Sequence, residues 1–263
     1  MVNNNPIGLF DSGVGGTSIW REIHKLIPNE SCIYLSDSKN APYGQKTKDE
    51  IIALSIKNTE FLLKENCKLI VVACNTATTN AIKELRAKYD VPFIGIEPAI
   101  KPAAVNSKTH TIGILATQGT LNSDLFHETV SSFENVTIIE QIGHGLVQLI
   151  ENGAIYSPKM RQLLEEYLNP MIAANIDYLV LGCSHYPYLI PEIKKILPKS
   201  IHIIDSGEAV AKQTLAILNA RVGIRISNAI STQTFYTNGN PKIVNDILNN
   251  KFSAVYKDFW GLI

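Results

Sequence analysis

The chain has 263 residues, 45% of them hydrophobic, which is enough for one large or two modest domains that each bury a core. Its 24 Lys and Arg balance 24 Asp and Glu, so no overall field attracts nucleic acid, and a charged ligand must be held locally. The opening MVNNNPIGLF has neither a basic n-region nor a long apolar run, and no later stretch is apolar enough to span a bilayer, so a cytoplasmic protein with no membrane or nucleic-acid partner is expected.

Short apolar runs alternate with amphipathic stretches, the rhythm of an α/β protein. The first strand, 6–10, runs into Asp11-Ser12-Gly13-Val14-Gly15-Gly16-Thr17-Ser18, whose glycines expose backbone N–H groups to an anion. No lysine precedes Thr17 and the dinucleotide glycine spacing is absent, so the segment reads as a turn for something smaller, such as a carboxylate, with Asp11 near the reacting centre. A strand at 32–35 leads to Lys39-Asn40-Ala41-Pro42-Tyr43-Gly44, which alone reads as a surface loop. Thr47-x-x-Glu50 is a capping box that opens a helix reaching Lys64.

A strand at 69–73 ends at Cys74, ahead of a helix starting near Thr76. Unpaired N–H groups and the partial positive charge of a helix start favour a thiolate or a bound carboxylate. Four cysteines without a CxxC pair point to a reduced compartment and against a structural zinc site, and no metal is expected. Cys32 and Cys67 read as core filling. Polar Asn75 and Thr76 directly after the strand set Cys74 apart as functional.

Strands at 92–96, 111–115 and 136–139 follow, most of the strand set reading as buried on both faces in the manner of parallel sheets. Thr117 and Thr120 lie past the fifth strand, where most threonines are caps. Glu151 ends a helix and would ordinarily be solvated. Ser157-Pro158 opens the next helix, with Pro at its first position. The strand at 178–181 runs into Gly182-Cys183-Ser184-His185-Tyr186-Pro187, which sets a second strand-end cysteine two residues before a histidine. Strands at 201–204 and 232–236 complete the series.

The sequence echoes itself. Ile7-Gly8-Leu9-Phe10-Asp11-Ser12 is matched by Ile112-Gly113-Ile114-Leu115-Ala116-Thr117. The strand ending in Cys74 is matched by the strand ending in Cys183, and Ile94-Gly95-Ile96-Glu97 by Ile203-Ile204-Asp205, all at nearly one offset. Two similar parallel-sheet halves are therefore expected, related by a pseudo-twofold axis, with the ligand in the cleft at the carboxyl ends of the strands. Residues 1–97 with 208–263 form the first domain, the tail from Glu208 packing back on it, and residues 98–207 the second. The two thiols then approach one small polar ligand from opposite sides.

Taken together, these segments resemble the glutamate racemases of the cofactor-independent aspartate/glutamate racemase superfamily, over nearly the whole chain. The resemblance implies interconversion of L- and D-glutamate without a cofactor, for peptidoglycan synthesis, in a cytoplasmic homodimer. It implies Cys74 and Cys183 as catalytic bases, assisted by Asp11, His185 and Glu151. It implies substrate contacts at Asp11, Ser12, Pro42, Tyr43, Gly44, Asn75, Thr76, Thr117, Thr120, Ser184 and His185, with Ser184 standing where the family usually has threonine. An aspartate racemase with the same chemistry, a non-catalytic amino-acid-binding protein and a cysteine hydrolase are the alternatives, the last leaving one cysteine unexplained.

Overall fold

The structure, a computed structural model, describes residues 2–226 and 230–259. Its elements run β1 (Ile7–Asp11), α1 (Thr17–Leu26), β2 (Cys32–Ser36), α2 (Lys48–Lys64), β3 (Leu69–Val72), α3 (Asn75–Lys88), β4 (Phe93–Gly95) and α4 (Ile100–Asn106). They continue with β5 (Thr111–Ala116), α5 (Gln118–Leu121), α6 (Asp124–Val130), β6 (Thr137–Ile142), α7 (Leu146–Glu151), α8 (Pro158–Ala173), β7 (Tyr178–Gly182), α9 (Ile190–Ile196) and β8 (His202–Ile204). The tail adds α10 (Gly207–Ile217), β9 (Gln233–Thr237), α11 (Pro241–Ile247) and β10 (Ala254–Tyr256).

All strand pairs are parallel. They form one sheet ordered β10-β9-β2-β1-β3-β4 and a second ordered β6-β5-β7-β8. The inner order β2-β1-β3-β4 is repeated by β6-β5-β7-β8, so the sequence echoes are a repeated topology: β1 answers to β5, β3 to β7 and β4 to β8. The repetition extends to single residues. The helix before β3 and the helix before β7 both end at an asparagine in the left-handed region, Asn66 at φ 58° and Asn175 at φ 59°. The next N–H reaches back into the helix in each case, Cys67 to the Leu62 carbonyl at 3.1 Å and Ile176 to the Met171 carbonyl at 3.4 Å. Asparagine tolerates that conformation and ends a helix within one residue.

Cys67 and Ile176 thus occupy equivalent places, and Cys67 is a core residue whose thiol burial pushes up to about 12. Gly8 and Gly113 leave room in front of them. A Cβ at Gly113 would stand 2.8 Å from Met171 Sδ and 2.9 Å from Ile176 Cδ1. Gly113→Ala is expected to cost about 1–3 kcal/mol by overpacking, read as a lower midpoint in urea unfolding. An unchanged or higher midpoint would show that helix and strand are not in close contact there.

The tail packs back on the first half: α10 lies along α1, and β9 pairs with β2 from Cys32↔Gln233 to Ser36↔Thr237. Trp20 clamps it, donating to Gln233 Oε1 at 2.9 Å and meeting Phe235 and Phe252 edge-on. Of that tail, residues 227–229 and 260–263 lie outside the described residues. The capping box at Thr47 and Glu50 is present, and Ser157 caps α8. Most of the strands are buried, as expected, and β6 and β8 are the part-exposed edge strands of the second sheet. The three-residue β10 is an added strand, too short to show a period in sequence. The largest apolar core contains residues of both halves, including Ile7, Leu9 and Val71 with Leu115, Leu181 and Tyr186, so the two sheets close on one interior.

Candidate active site

Ala73 ends β3 by donating to the Phe10 carbonyl at 2.8 Å, and Cys74 becomes the cap of α3, its sulfur accepting the Ala77 N–H at 3.4 Å. The thiol reaches Ser12 Oγ at 3.7 Å. Burial, reinforced by the nearby Asp11 carboxylate, pushes the Cys74 thiol well above its ordinary range, and the Ala77 N–H and Ser12 only partly offset this. The resting Cys74 is therefore a thiol, and Cys183 lies near enough to influence it.

Asp11, fully buried, ends β1. Its Oδ2 accepts N–H groups from Gly13 at 3.2 Å and Gly16 at 2.9 Å, and its Oδ1 the Ser184 hydroxyl at 3.1 Å. Burial raises its pKa, while His185, the Gly16 N–H and Ser184 pull it back. The glycine turn does hold anions, but they are the protein's own carboxylates. Val14 N–H donates to Glu151 Oε1 at 2.6 Å, and a Cβ at Gly13 would overlap that carboxylate. A Cβ at Gly15 would overlap the His185 ring. Close approach is what these glycines supply.

In the second sheet Cys183 follows β7 as Cys74 follows β3, and its sulfur lies 3.8 Å from His185 Nδ1. His185 Nε2 meets Glu151 Oε1 at 2.6 Å, and Nδ1 lies 3.4 Å from Ser184 Oγ and 3.9 Å from Asp11 Oδ2. Gly15 N lies 3.3 Å from the same Nε2, which cannot accept from it while donating to Glu151; the shorter contact takes the proton. Burial opposes a charge on His185, but Cys183, Glu151 and Asp11 together hold it well above its usual range as an imidazolium. Glu151 is thus not a solvated helix end. It is the anchor of His185, and its second oxygen accepts the Ser38 hydroxyl at 2.7 Å.

Thr76 of the first half meets Thr117 at 2.8 Å and Thr120 at 3.2 Å of the second, with Thr117 and Thr120 3.0 Å apart. Asn75 Nδ2 reaches the Ile96 carbonyl at 3.4 Å, while its Oδ1 is buried without a hydrogen-bond partner. The Pro42-Tyr43-Gly44 segment is not a surface loop. Tyr43 is buried, and its hydroxyl turns to Asp37 and accepts from Asn58 Nδ2 at 3.0 Å, so the backbone is what this residue offers to a ligand. A Cβ at Gly44 would stand 2.7 Å from Thr117 Cβ, and one at Gly119 would stand 3.1 Å from Gly44 Cα, so the two halves meet there backbone to backbone.

Of the residues singled out in sequence, Asp11, Glu151, Cys183, Ser184 and His185 form one contact group, Cys74 meets Ser12, and Gly44, Thr76, Thr117 and Thr120 form another, while Pro42 lines a small cleft with Gly44, Thr117 and Gly143. The sequence reading missed Ser38, Tyr34, whose hydroxyl holds the Gly13 carbonyl at 2.6 Å, and Asp37. Asp37 directly follows β2, and its position at the same strand edge was the available signal. Among the described residues no group of three or more His, Cys, Asp or Glu side chains is placed to hold a metal, and no helix is long and apolar enough to cross a membrane.

Two buried thiols stand at matching strand ends, and hydrogen bonds and close contacts link Cys183, His185, Glu151, Ser184 and Asp11. The sequence profile of the Asp/Glu/hydantoin racemase family matches residues 7–214. A glutamate racemase of Pseudomonas syringae is 42% identical over 92% of this chain and 89% of its own length, and one of Ectopseudomonas mendocina is 46% identical over 81% and 82%. The crystal structure of an Escherichia coli glutamate racemase in complex with L-glutamate and an activator superposes with TM-score 0.86 at 31% identity, covering 96% of this chain and 98% of that one. A Francisella tularensis glutamate racemase in complex with D-glutamate gives 0.84 at 26%, covering 98% of both. The chain belongs to the Asp/Glu/hydantoin racemase family.

Proposed function

We propose that this protein interconverts L- and D-glutamate by a two-base mechanism, supplying D-glutamate for peptidoglycan synthesis. The observation that carries the reading is the equivalence of Cys74 and Cys183, each directly past the third strand of a repeated parallel motif, with Asp11 and Ser184 bridging the space between them. The domains are then 1–97 with 208–263 and 98–207, and the substrate lies between them. Relatives named glutamate racemase, and related structures holding L- or D-glutamate, favour this amino acid.

Racemisation breaks Cα–H on one face and forms it on the other. One thiolate takes the proton while the opposite thiol gives one, so the pair exchanges roles with each turnover. The high pKa of Cys74 keeps the empty site quiet. A bound substrate ammonium beside Asp11 offsets the negative charge that adds to burial in holding that pKa up, and so favours the thiolate. No electron sink is needed if charge on the carboxylate side is held by fixed dipoles in a closed interior. Ser12, Thr76 and Ser184 hydroxyls and the first N–H groups of α3 are the donors for the α-carboxylate. Thr117, Thr120 and the Tyr43–Gly44 backbone face the rest of the substrate. Asn75 Oδ1, buried and unpaired, is an acceptor suited to the ammonium.

Circular dichroism of L-glutamate incubated with the purified protein and no added cofactor is expected to decay to zero. A persistent signal would overturn the assignment. In deuterium oxide, Cα exchange with aspartate but not glutamate would move the substrate to aspartate.

A further inference from the structure

The Tyr43–Gly44 segment is held by a buried polar network that the mechanism above does not use. Asp37 is fully buried at the carboxyl edge of the first sheet. Its Oδ2 accepts the Tyr43 hydroxyl, and its Oδ1 accepts amide N–H groups from Asn40, at 2.8 Å, and from Asn238. Asn238, 4% exposed, follows β9 in the tail, and its own oxygen accepts the Lys39 N–H at 2.9 Å. A Cβ at the next residue, Gly239, would stand 2.6 Å from Ser38 Cβ, so the tail is pressed against the start of the segment.

These three partners of Asp37 all donate, and a carboxylate is the side chain that only accepts. An amide at 37 would turn an N–H either toward the Tyr43 hydroxyl or toward the Asn40 and Asn238 amides, where the carboxylate accepts, and a carboxylate at 238 would turn oxygen against oxygen. We propose that Asp37 and Asn238 are positioning residues that set where Tyr43 and Gly44 stand against Thr117, and so how firmly the substrate is gripped; this rests on the glutamate reading above. Cys74 and Cys183 take their places from the ends of β3 and β7 rather than from the network's hydrogen bonds. Disturbing it alters binding more than the proton transfers.

The test is a swap. D37N and N238D are each expected to raise the KM for glutamate about tenfold while kcat stays within about threefold, the pattern of lost uniform binding. The double variant D37N/N238D restores an amide facing a carboxylate, with their places exchanged, and is expected to bring KM back to within about threefold of the parent. Hydrogen exchange of backbone amides 38–46 quickens in each single variant and slows again in the double. N238A, which removes the donor without adding charge, carries the same expectation as N238D and replaces it if that variant does not fold. A double variant as impaired as the two losses combined, or single variants that lose kcat with KM unchanged, would overturn the positioning role. A parent protein that does not turn over glutamate overturns the functional reading instead, and the exchange pattern of the three variants then decides the network.

Discussion

Cys74→Ala and Cys183→Ala are each expected to reduce interconversion of the glutamate enantiomers by roughly a thousandfold, because in the proposed mechanism neither thiol can serve both faces of one carbon and a positioned acid or base contributes roughly 10²- to 10⁴-fold. The losses differ in kind from a binding defect. With one thiol gone, the other can still take and return the proton on its own face, so each variant retains slow Cα exchange in deuterium oxide with one enantiomer, and the two variants retain it with opposite enantiomers. Proton NMR of L- and D-glutamate, incubated separately, reads this directly. Cys74→Ser is the control for folding: a hydroxyl can accept the Ala77 N–H that the sulfur now accepts and keep the cap of α3, yet it titrates far too high to act as the base. Full racemisation in either alanine variant would remove the two-base mechanism, and exchange of both enantiomers in both variants would remove the assignment of one cysteine to each face.

The parts of this site that are local in sequence could be read from it, and the parts made by distant contacts could not. Cys74 and Cys183 stand out because each follows a fully apolar run whose polar successors mark a strand end, and the repetition of that pattern gives the two-sheet plan. Glu151 carries no such mark. It reads as a helix terminus, and only the approach of Val14, 137 residues away, and of His185 turns it into a part-buried anchor. The Pro42-Tyr43-Gly44 segment has the composition of a surface turn, which is how it reads until Asp37 and Asn58 take up the tyrosine hydroxyl. The glycine turn after β1 was legible as an anion holder, because exposed N–H groups need an acceptor. That the acceptors are Asp11 and Glu151 depends on tertiary placement, which periodicity does not encode.

Glu151→Gln is expected to weaken the fold in a pH-dependent manner and to shift the alkaline limb of activity to lower pH. His185 is held above its ordinary pKa, and Glu151 is one of the groups that hold it there. A histidine raised in the fold contributes stability that is fully present below its unfolded value of 6.5 and is lost as pH rises through the folded value. Glutamine keeps an oxygen for the Val14 and His185 N–H groups but loses the charge that faces the imidazolium, so at pH 6 it forfeits part of the about 1.5–3 kcal/mol of a charge-assisted hydrogen bond. Above the pKa of His185 in the parent protein the ring is neutral in both proteins, and the gap narrows to what the neutral hydrogen bonds contribute. Urea unfolding of parent and variant at pH 6 and at successively higher pH measures the gap. In the variant His185 also loses its proton at lower pH, and the positive charge it holds 3.8 Å from Cys183 goes with it, so kcat falls off earlier on the alkaline side. A stability gap that is constant with pH, or an alkaline limb that does not move, would show that Glu151 braces Val14 and Ser38 without tuning His185.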